Sequence, residues 1–323
     1  MRVEENHLPI LLGTNWKIKA IGFVFFVLLY SCQSDTKKSA SDSKVQTFEY
    51  ASTRYLIEPE ELQEKLALGS EFKLIDSRIL AEYSTGHIEN AVNIWRNHLA
   101  DTSYAYGGMM PTKLQLEQLL GSLGISPSDT LIIYDNNAEV DAARLWWILK
   151  FYGHENMKLL NGGLRSWLLI DSALTNQVSD EVAVHYQFEN PVDSTIYASF
   201  ETVKNVVAGS NVKLLDVRGL DEYSGQKLKN GAAWPGHIPN TINLNWAEAV
   251  DYNGDHKFLS AAELKLKYEA LGITGDKPII SYCHSGVRSS HTLFVLTELL
   301  GYKNVRNYDG SWTEWSHLNP IED

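Results

Sequence analysis

Pro278-Ile279-Ile280-Ser281-Tyr282-Cys283-His284-Ser285-Gly286-Val287-Arg288-Ser289-Ser290 is the stretch that decides the fold. Its first part is short, β-branched and bounded by Pro278, which reads as a buried strand. From His291 to Leu300, apolar residues recur at Leu293, Phe294, Leu296, Leu299 and Leu300, a helical spacing. Cys283 therefore stands on a strand-loop-helix junction. There the backbone N–H groups of residues 284–289 can curl around a sulfur, and the helix adds its positive dipole end and its unpaired donors. Gly286 permits the left-handed or close-approach backbone such a curl needs, and Arg288 adds a full positive charge. A depressed thiol pKa and an anionic substrate are both expected. A lone cysteine usually belongs to the core, but a core cysteine does not require a polar, glycine-containing loop ending in Arg-Ser-Ser.

The second half of the chain repeats the first. Leu74-Ile75-Asp76-Ser77-Arg78 returns as Leu214-Leu215-Asp216-Val217-Arg218 at an offset of 140, and Gly86-His87-Ile88 returns as Gly236-His237-Ile238 at 150. About ten residues have thus been added to the second copy within Gly225 to Pro235. Further on, Leu123-Gly124-Ile125 matches Leu271-Gly272-Ile273, Asp135 matches Cys283, and Gly162 and Trp167 match Gly310 and Trp315, all at 148. Each copy alternates short apolar strands (in the first, near 73–75, 92–94, 131–134 and 158–160) with helical patterns (59–68, 114–123 and 140–152). This predicts an α/β fold: two tandem domains, each a mostly parallel sheet with helices on both faces. Ligands sit beyond the carboxyl ends of such strands, where Cys283, Asp216 and Arg218 all lie. The first copy, with Asp135-Asn136-Asn137-Ala138-Glu139, lacks both nucleophile and glycine, so its expected role is structural.

The 323 residues suggest about two domains, and a net charge of −12 excludes a nucleic-acid surface as the main business. Lys17 and Lys19 precede an apolar run from Ala20 to Tyr30, too short for a membrane span and suited to a signal-peptide core. It ends in Leu29-Tyr30-Ser31-Cys32, which resembles the bacterial lipoprotein signal, in which the cysteine is lipidated. The expected organisation is a signal peptide over 1–31, a tether over 32–51, an inactive domain over 52–172, a linker over 173–195 and a catalytic domain over 196–320. Export and lipid anchoring at the periplasmic side of a bacterial envelope follow, or a soluble periplasmic protein. With Cys32 consumed as a thioether, Cys283 is the only thiol left, so neither an intrachain disulfide nor a cysteine metal site is available. No metal or cofactor is expected.

These residues resemble the rhodanese family of sulfurtransferases in its tandem-domain form, over essentially all of Ser52 to Pro320. The resemblance rests on Leu214-Leu215-Asp216-Val217-Arg218, Glu222-Tyr223, Pro235-Gly236-His237-Ile238-Pro239, Asn243, the loop Cys283 to Arg288, and Gly310-Ser311-Trp312-Thr313-Glu314-Trp315. It implies that Cys283 is the nucleophile and carries a persulfide formed from a donor such as thiosulfate. A thiophilic acceptor, cyanide or a thiol, then removes the sulfur by ping-pong kinetics. It also implies substrate binding by Arg218 and Arg288 and by the loop residues His284, Ser285, Gly286, Val287 and Ser289, with Asp216 anchoring the loop. His87 and His237 recur in both copies and read as structural. The loop fits neither the vertebrate thiosulfate pattern nor the Gly-Ser-Gly-Val-Thr of mercaptopyruvate enzymes. A dianion gains more from arginine than a monocarboxylate does, which favours thiosulfate over 3-mercaptopyruvate.

Two rivals come from other classes. Dual-specificity phosphatases on a related fold close their cysteine loop with arginine one residue later than here, where four residues, His284 to Val287, intervene. The shorter loop suits a sulfur atom better than a phosphate tetrahedron. A non-turnover persulfide carrier or binding module needs the same thiolate and stays open. The expected partners are a small anionic sulfur donor and a thiophilic acceptor, with no nucleic acid, a membrane reached only through the N-terminal lipid, and a monomeric chain.

Overall fold

The computed structural model describes residues 49–170 and 173–319; the leader, the proposed lipidation site Cys32 and most of the tether lie outside the described residues. In the first copy the elements are β1 (Leu56–Ile57), α1 (Pro59–Ala67), β2 (Lys73–Asp76), α2 (Leu80–Thr85), β3 (Ala91–Asn93), α3 (Lys113–Ser122), β4 (Leu131–Tyr134), α4 (Val140–Tyr152), β5 (Met157–Leu160) and α5 (Gly163–Leu169). The second copy follows the same order: β6 (Tyr197–Ala198), α6 (Phe200–Val207), β7 (Lys213–Asp216), α7 (Leu220–Tyr223), β8 (Thr241–Asn243), α8 (Ala261–Glu269), β9 (Ile279–Tyr282), α9 (Val287–Phe294), β10 (Val305–Tyr308) and α10 (Ser311–Leu318). Each forms a five-stranded parallel sheet, ordered β1-β5-β4-β2-β3 and β6-β10-β9-β7-β8. The expected α/β architecture is therefore the observed one. Among the described residues no helix is long and apolar enough to cross a membrane.

Local chemistry sets the helix starts. Thr112 caps α3, its hydroxyl accepting from the N–H of Gln115 while the Gln115 side chain accepts from the N–H of Thr112. Ser260 and Glu263, each 148 residues further on, do the same for α8. One helix starts earlier than its apolar spacing suggests. The run read from His291 begins at Val287, directly after Gly286, which holds φ +75° as its N-cap, and the helix closes in a π turn over Val295–Leu299. Residues between the domains are not loose: Tyr186 and Phe188 are buried in the main apolar core.

That core runs through both copies, with a smaller cluster on the outer face of each sheet. Its centre is α4 packed on α9, the same helix of each copy. Trp146 meets Phe294 edge-on at 4.9 Å, and Lys150 pairs with Glu298 at 2.8 Å. Both pairs join positions 148 apart (294 − 146 and 298 − 150), so equivalent residues face each other across a local two-fold axis. Backbone contacts obey the same symmetry. The N–H of Phe258 donates to Asn161, and that of Met110 donates to Asp309, again 148 apart on both sides.

Candidate active site

Cys283 leaves β9 at the carboxyl end of the sheet and is buried. The loop after it is shaped by three residues. At Gly286, a Cβ would lie 2.5 Å from Nη1 of Arg144 and 2.7 Å from the carbonyl of Asp309, so neither the left-handed backbone nor the space admits a side chain. Ser311, at φ +53° and fully buried, accepts from the N–H groups of Cys283 (3.1 Å) and Gly286 (3.0 Å) and donates to the carbonyl of Tyr308 (2.7 Å). Thr313 donates its hydroxyl to the carbonyl of His284 at 2.7 Å. The first turn of α10 thus holds the loop from behind.

Burial alone would raise the thiol pKa of Cys283. The charge of Arg288, the Ser289 hydroxyl and the N–H groups of Ser289 and Ser285 outweigh it, and the net direction is down. The Ser289 hydroxyl lies 3.5 Å from the sulfur. The continuous curl of N–H groups expected over 284–289 is interrupted, because the N–H of Gly286 turns to Ser311 instead. His284 is neutral: burial lowers its pKa to about 4, and its Nε2 bonds to the carbonyl of Asn230 at 3.0 Å.

The sulfur opens into a cavity of about 170 Å³ lined by Arg96, Asn137 and Val140 from the first copy and by Lys229, Trp246, Cys283, His284, Ser285, Val287 and Arg288 from the second. Three pairs of these are equivalent positions: Arg96 with Trp246 (150 apart), Asn137 with Ser285, and Val140 with Arg288 (148 apart). The cavity therefore straddles the two-fold axis, and the first copy supplies part of its wall. A second chamber of about 230 Å³ adjoins it, sharing Arg96, His284, Ser285 and Val287. Arg96, Asn137, Val140 and Lys229 escape sequence reasoning, because the folded interface and the inserted segment bring them in from far along the chain.

Arg288 and Arg218 part company here. Arg288 lines the cavity, held by Glu222 through two hydrogen bonds of 2.8 and 3.0 Å. Arg218, expected at the substrate, is absent from the lining and buried. Its Nε bonds Asp216, its Nη2 bonds Asp216 and the carbonyl of Gly236, and its guanidinium covers Trp312 at 4.9 Å. Arg78 makes the same contacts to Asp76 and Gly86 in the copy without a cysteine, so this pair maintains the fold at a strand end. Asp216 accordingly anchors Arg218 and the 236 turn. Among the other expected site residues, His284, Ser285 and Val287 line the cavity, Ser289 touches the sulfur, and Gly286 shapes the loop.

In the first copy the carboxylate of Asp135 occupies the place of the sulfur. It accepts from the N–H groups of Asn137, Glu139, Asp141 and Ala142 at 2.7–3.0 Å. The nest survives, filled by a permanent side-chain acceptor. Burial and the nearby Asp141 carboxylate raise its pKa to about 6 against the N–H groups of Ala142, Asn137 and Asp141. Among the described residues no group of three or more His, Cys, Asp or Glu is placed to hold a metal.

A buried cysteine of depressed pKa at a helix mouth, facing a small cation-lined cavity, defines a cysteine-dependent transferase site. The family model described as "Rhodanese-like domain" matches residues 58–169 and again 199–318, and the chain belongs to this family. It is 41% identical over 249 residues to a protein of Saccharopolyspora erythraea named "Putative thiosulfate sulfurtransferase", covering 74% of this chain and 86% of the relative. It is 37% identical over 253 residues to the "Sulfur carrier protein TtuD" of Thermus thermophilus, covering 76% of this chain and 87% of the relative. Among solved structures, the anaerobic ergothioneine biosynthesis enzyme of Chlorobium limicola, in complex with trimethyl histidine, matches with a TM-score of 0.72 and 25% identity over 83% of this chain and 70% of that one. Tum1 protein of Saccharomyces cerevisiae shares the fold, with a TM-score of 0.74 and 23% identity over 82% and 96% of the two chains. The chain is an enzyme of sulfurtransferase type.

Proposed function

We propose that the protein moves a sulfane sulfur from thiosulfate to cyanide or a thiol through a persulfide on Cys283. The thiolate attacks the outer sulfur of thiosulfate; the S–S bond breaks with its electron pair leaving on sulfite, and Cys283 keeps the sulfur as a persulfide anion. Cyanide then takes that outer sulfur as thiocyanate and restores the thiolate, so charge and electrons balance in both half-reactions. The observation that carries this is the lowered pKa of a buried thiol beside Arg288 in a cavity sized for a small anion. Name and identity of the bacterial relatives support thiosulfate as donor over 3-mercaptopyruvate. The likeness to a sulfur carrier supports the second reading, in which the persulfide passes to a partner without turnover on small acceptors.

Intact mass and thiocyanate release test this, with thiosulfate and then cyanide added to a chain starting at Lys44, beside Cys283→Ala and Asp135→Ala. One sulfur gained on the wild type, lost with cyanide and absent only from Cys283→Ala, is the expected result. Loading without thiocyanate release supports the carrier. No persulfide from thiosulfate, nor from 3-mercaptopyruvate in its place, refutes both. The leader supports a further proposal, anchoring at the cell envelope through lipidated Cys32. Palmitate labelling that persists in Cys32→Ala would refute it.

A further inference from the structure

Four cations line the two chambers around Cys283, and three are already paired. Arg288 is held by Glu222, Arg96 is held by Asp141 through bonds of 2.7 and 2.8 Å, and Arg144 meets Asp309 at 2.6 Å in a fully buried pair. Each arginine therefore brings its carboxylate with it, and the net charge of each pair is zero. The remaining cation, Lys229, lines the same cavity as the sulfur; among the described residues its ammonium makes no hydrogen bond, and the carboxylate that acts on it, Glu222, is already hydrogen-bonded to Arg288. Arg288, Glu222 and Cys283 all act on it electrostatically, and it shares the wall of one cavity with the reacting sulfur.

Lys229 has no counterpart in the first copy, since it lies in the segment of about ten residues added between Gly225 and Pro235. That segment is pinned rather than free. The carbonyl of Asn230 takes the His284 ring, the N–H of Ala233 donates to Ser316 at 2.9 Å, and the carbonyl of Trp234 takes the Trp312 indole at 3.1 Å, with the two indole rings edge-on at 4.4 Å. These contacts fix the chain after Lys229, and the N–H of Lys227, which donates to the carbonyl of Asp221 at 3.0 Å, fixes it before, while the ammonium makes no hydrogen bond among the described residues. The addition to the second copy thus brings a fourth cation, against three carboxylates, to the chambers around the only thiol among the described residues.

From this placement we infer that Lys229 is the residue that binds the anionic end of the sulfur donor and the departing sulfite, with Arg288 committed to Glu222 and to the thiolate. The assignment rests on the sulfur-transfer reading above. A thiolate and a thiosulfate dianion together bring three negative charges into one cavity, and the persulfide and sulfite that result carry the same three. An ammonium that no carboxylate holds by a hydrogen bond is the group that can follow that charge from the transferring sulfur to the leaving oxygens. A donor with less negative charge at that end gains less from it.

The test uses the full chain in detergent, as wild type, Lys229→Ala and Lys229→Arg, with thiosulfate and the singly charged methanethiosulfonate anion as donors and cyanide as acceptor. Alkylation of Cys283 by neutral iodoacetamide checks that the loop is intact. A hydrogen bond to a charged group is worth a factor of ten or more. Lys229→Ala is expected to lose at least tenfold in kcat/KM for thiosulfate and clearly less for methanethiosulfonate. Lys229→Arg should recover most of the thiosulfate rate, and the salt dependence of the wild type should weaken in Lys229→Ala. Equal kcat/KM for thiosulfate in wild type and Lys229→Ala overturns the assignment while leaving the sulfur-transfer reading standing, as does an equal loss with both donors. Wild type that gains no sulfur from either donor, with Cys283 still alkylated, overturns the sulfur-transfer reading and the assignment with it.

Discussion

Replacing Ser311 with alanine removes one oxygen from a fully buried site and orphans three groups at once. The N–H groups of Cys283 and Gly286 lose their acceptor, and the carbonyl of Tyr308 loses a donor. A buried donor left unsatisfied costs about 1–3 kcal/mol, so two give a destabilisation of about 2–6 kcal/mol, with the carbonyl, which has a second lone pair, adding less. Alanine keeps the left-handed backbone strain of Ser311. Glycine, which stands at the equivalent position 163, relieves it, and left-handed geometry costs other residues about 1–2 kcal/mol. Ser311→Gly should therefore be the more stable variant by about 1 kcal/mol while losing the same acceptor. Both should load sulfur at least tenfold more slowly, because the N–H groups released from Ser311 no longer hold the loop in shape around the thiolate. Urea unfolding followed by tryptophan fluorescence gives the stabilities, and persulfide mass against time gives the rates. A Ser311→Ala protein within about 0.5 kcal/mol of wild type that loads sulfur at the wild-type rate would refute the bracing role, since that is the range of a surface substitution.

Arg144→Met leaves Asp309 buried without its cation, which should cost about 3–5 kcal/mol in urea unfolding; an Asp309→Asn partner change should recover part of that loss. The thiolate fraction of Cys283 falls as pH drops through its lowered pKa, so alkylation by iodoacetamide should hold its rate at pH values below the free-cysteine range of about 8.5. Removing the charge with Arg288→Met and Glu222→Gln together should move that midpoint upward, and an unchanged pH profile would count against Arg288 as a source of the shift. Asp135 has a folded pKa of about 6, above its unfolded value, so its contribution to stability is present in acid and lost as pH rises from about 4 through 6. Asp135→Asn removes that slope, and at pH 8 its amide must face N–H donors, a loss of about 1–3 kcal/mol readable by urea unfolding.

Much of the fold is local and was therefore legible. The 148-residue register predicted two copies, and in the first copy α1, with its proline start, and α3, with its capping pair, began within a residue of their patterns. Cys283 and Gly286 were legible because one short segment carries both the strand and the helix mouth. The cavity was not, since Arg96, Asn137 and Val140 reach it only across an interface that no spacing encodes. Arg218 is paired with Asp216 and does not line the cavity, and a signal for that pairing existed. Its motif recurs as Asp76-Ser77-Arg78 in the copy without a nucleophile, where the same arginine-carboxylate pair forms without sulfur chemistry. Lys229 sits in the one segment that breaks the repeat, and the break was visible while its cargo was not.

The local two-fold axis makes this chain a homodimer spelled out in one reading frame. In a true homodimer every substitution appears on both sides of the axis, so a wall residue cannot change without changing the opposite loop as well. Joining the copies releases that constraint. Position 135 could become an acid that closes its own nest, position 140 a valine that lines its neighbour's cavity opposite Arg288, and position 144 an arginine that reaches over to Asp309. A separated second copy would lack that arginine and part of its cavity wall, however high its concentration. The covalent link therefore does more than raise the local concentration of one half near the other; it lets two halves of common plan divide catalysis and scaffolding between them.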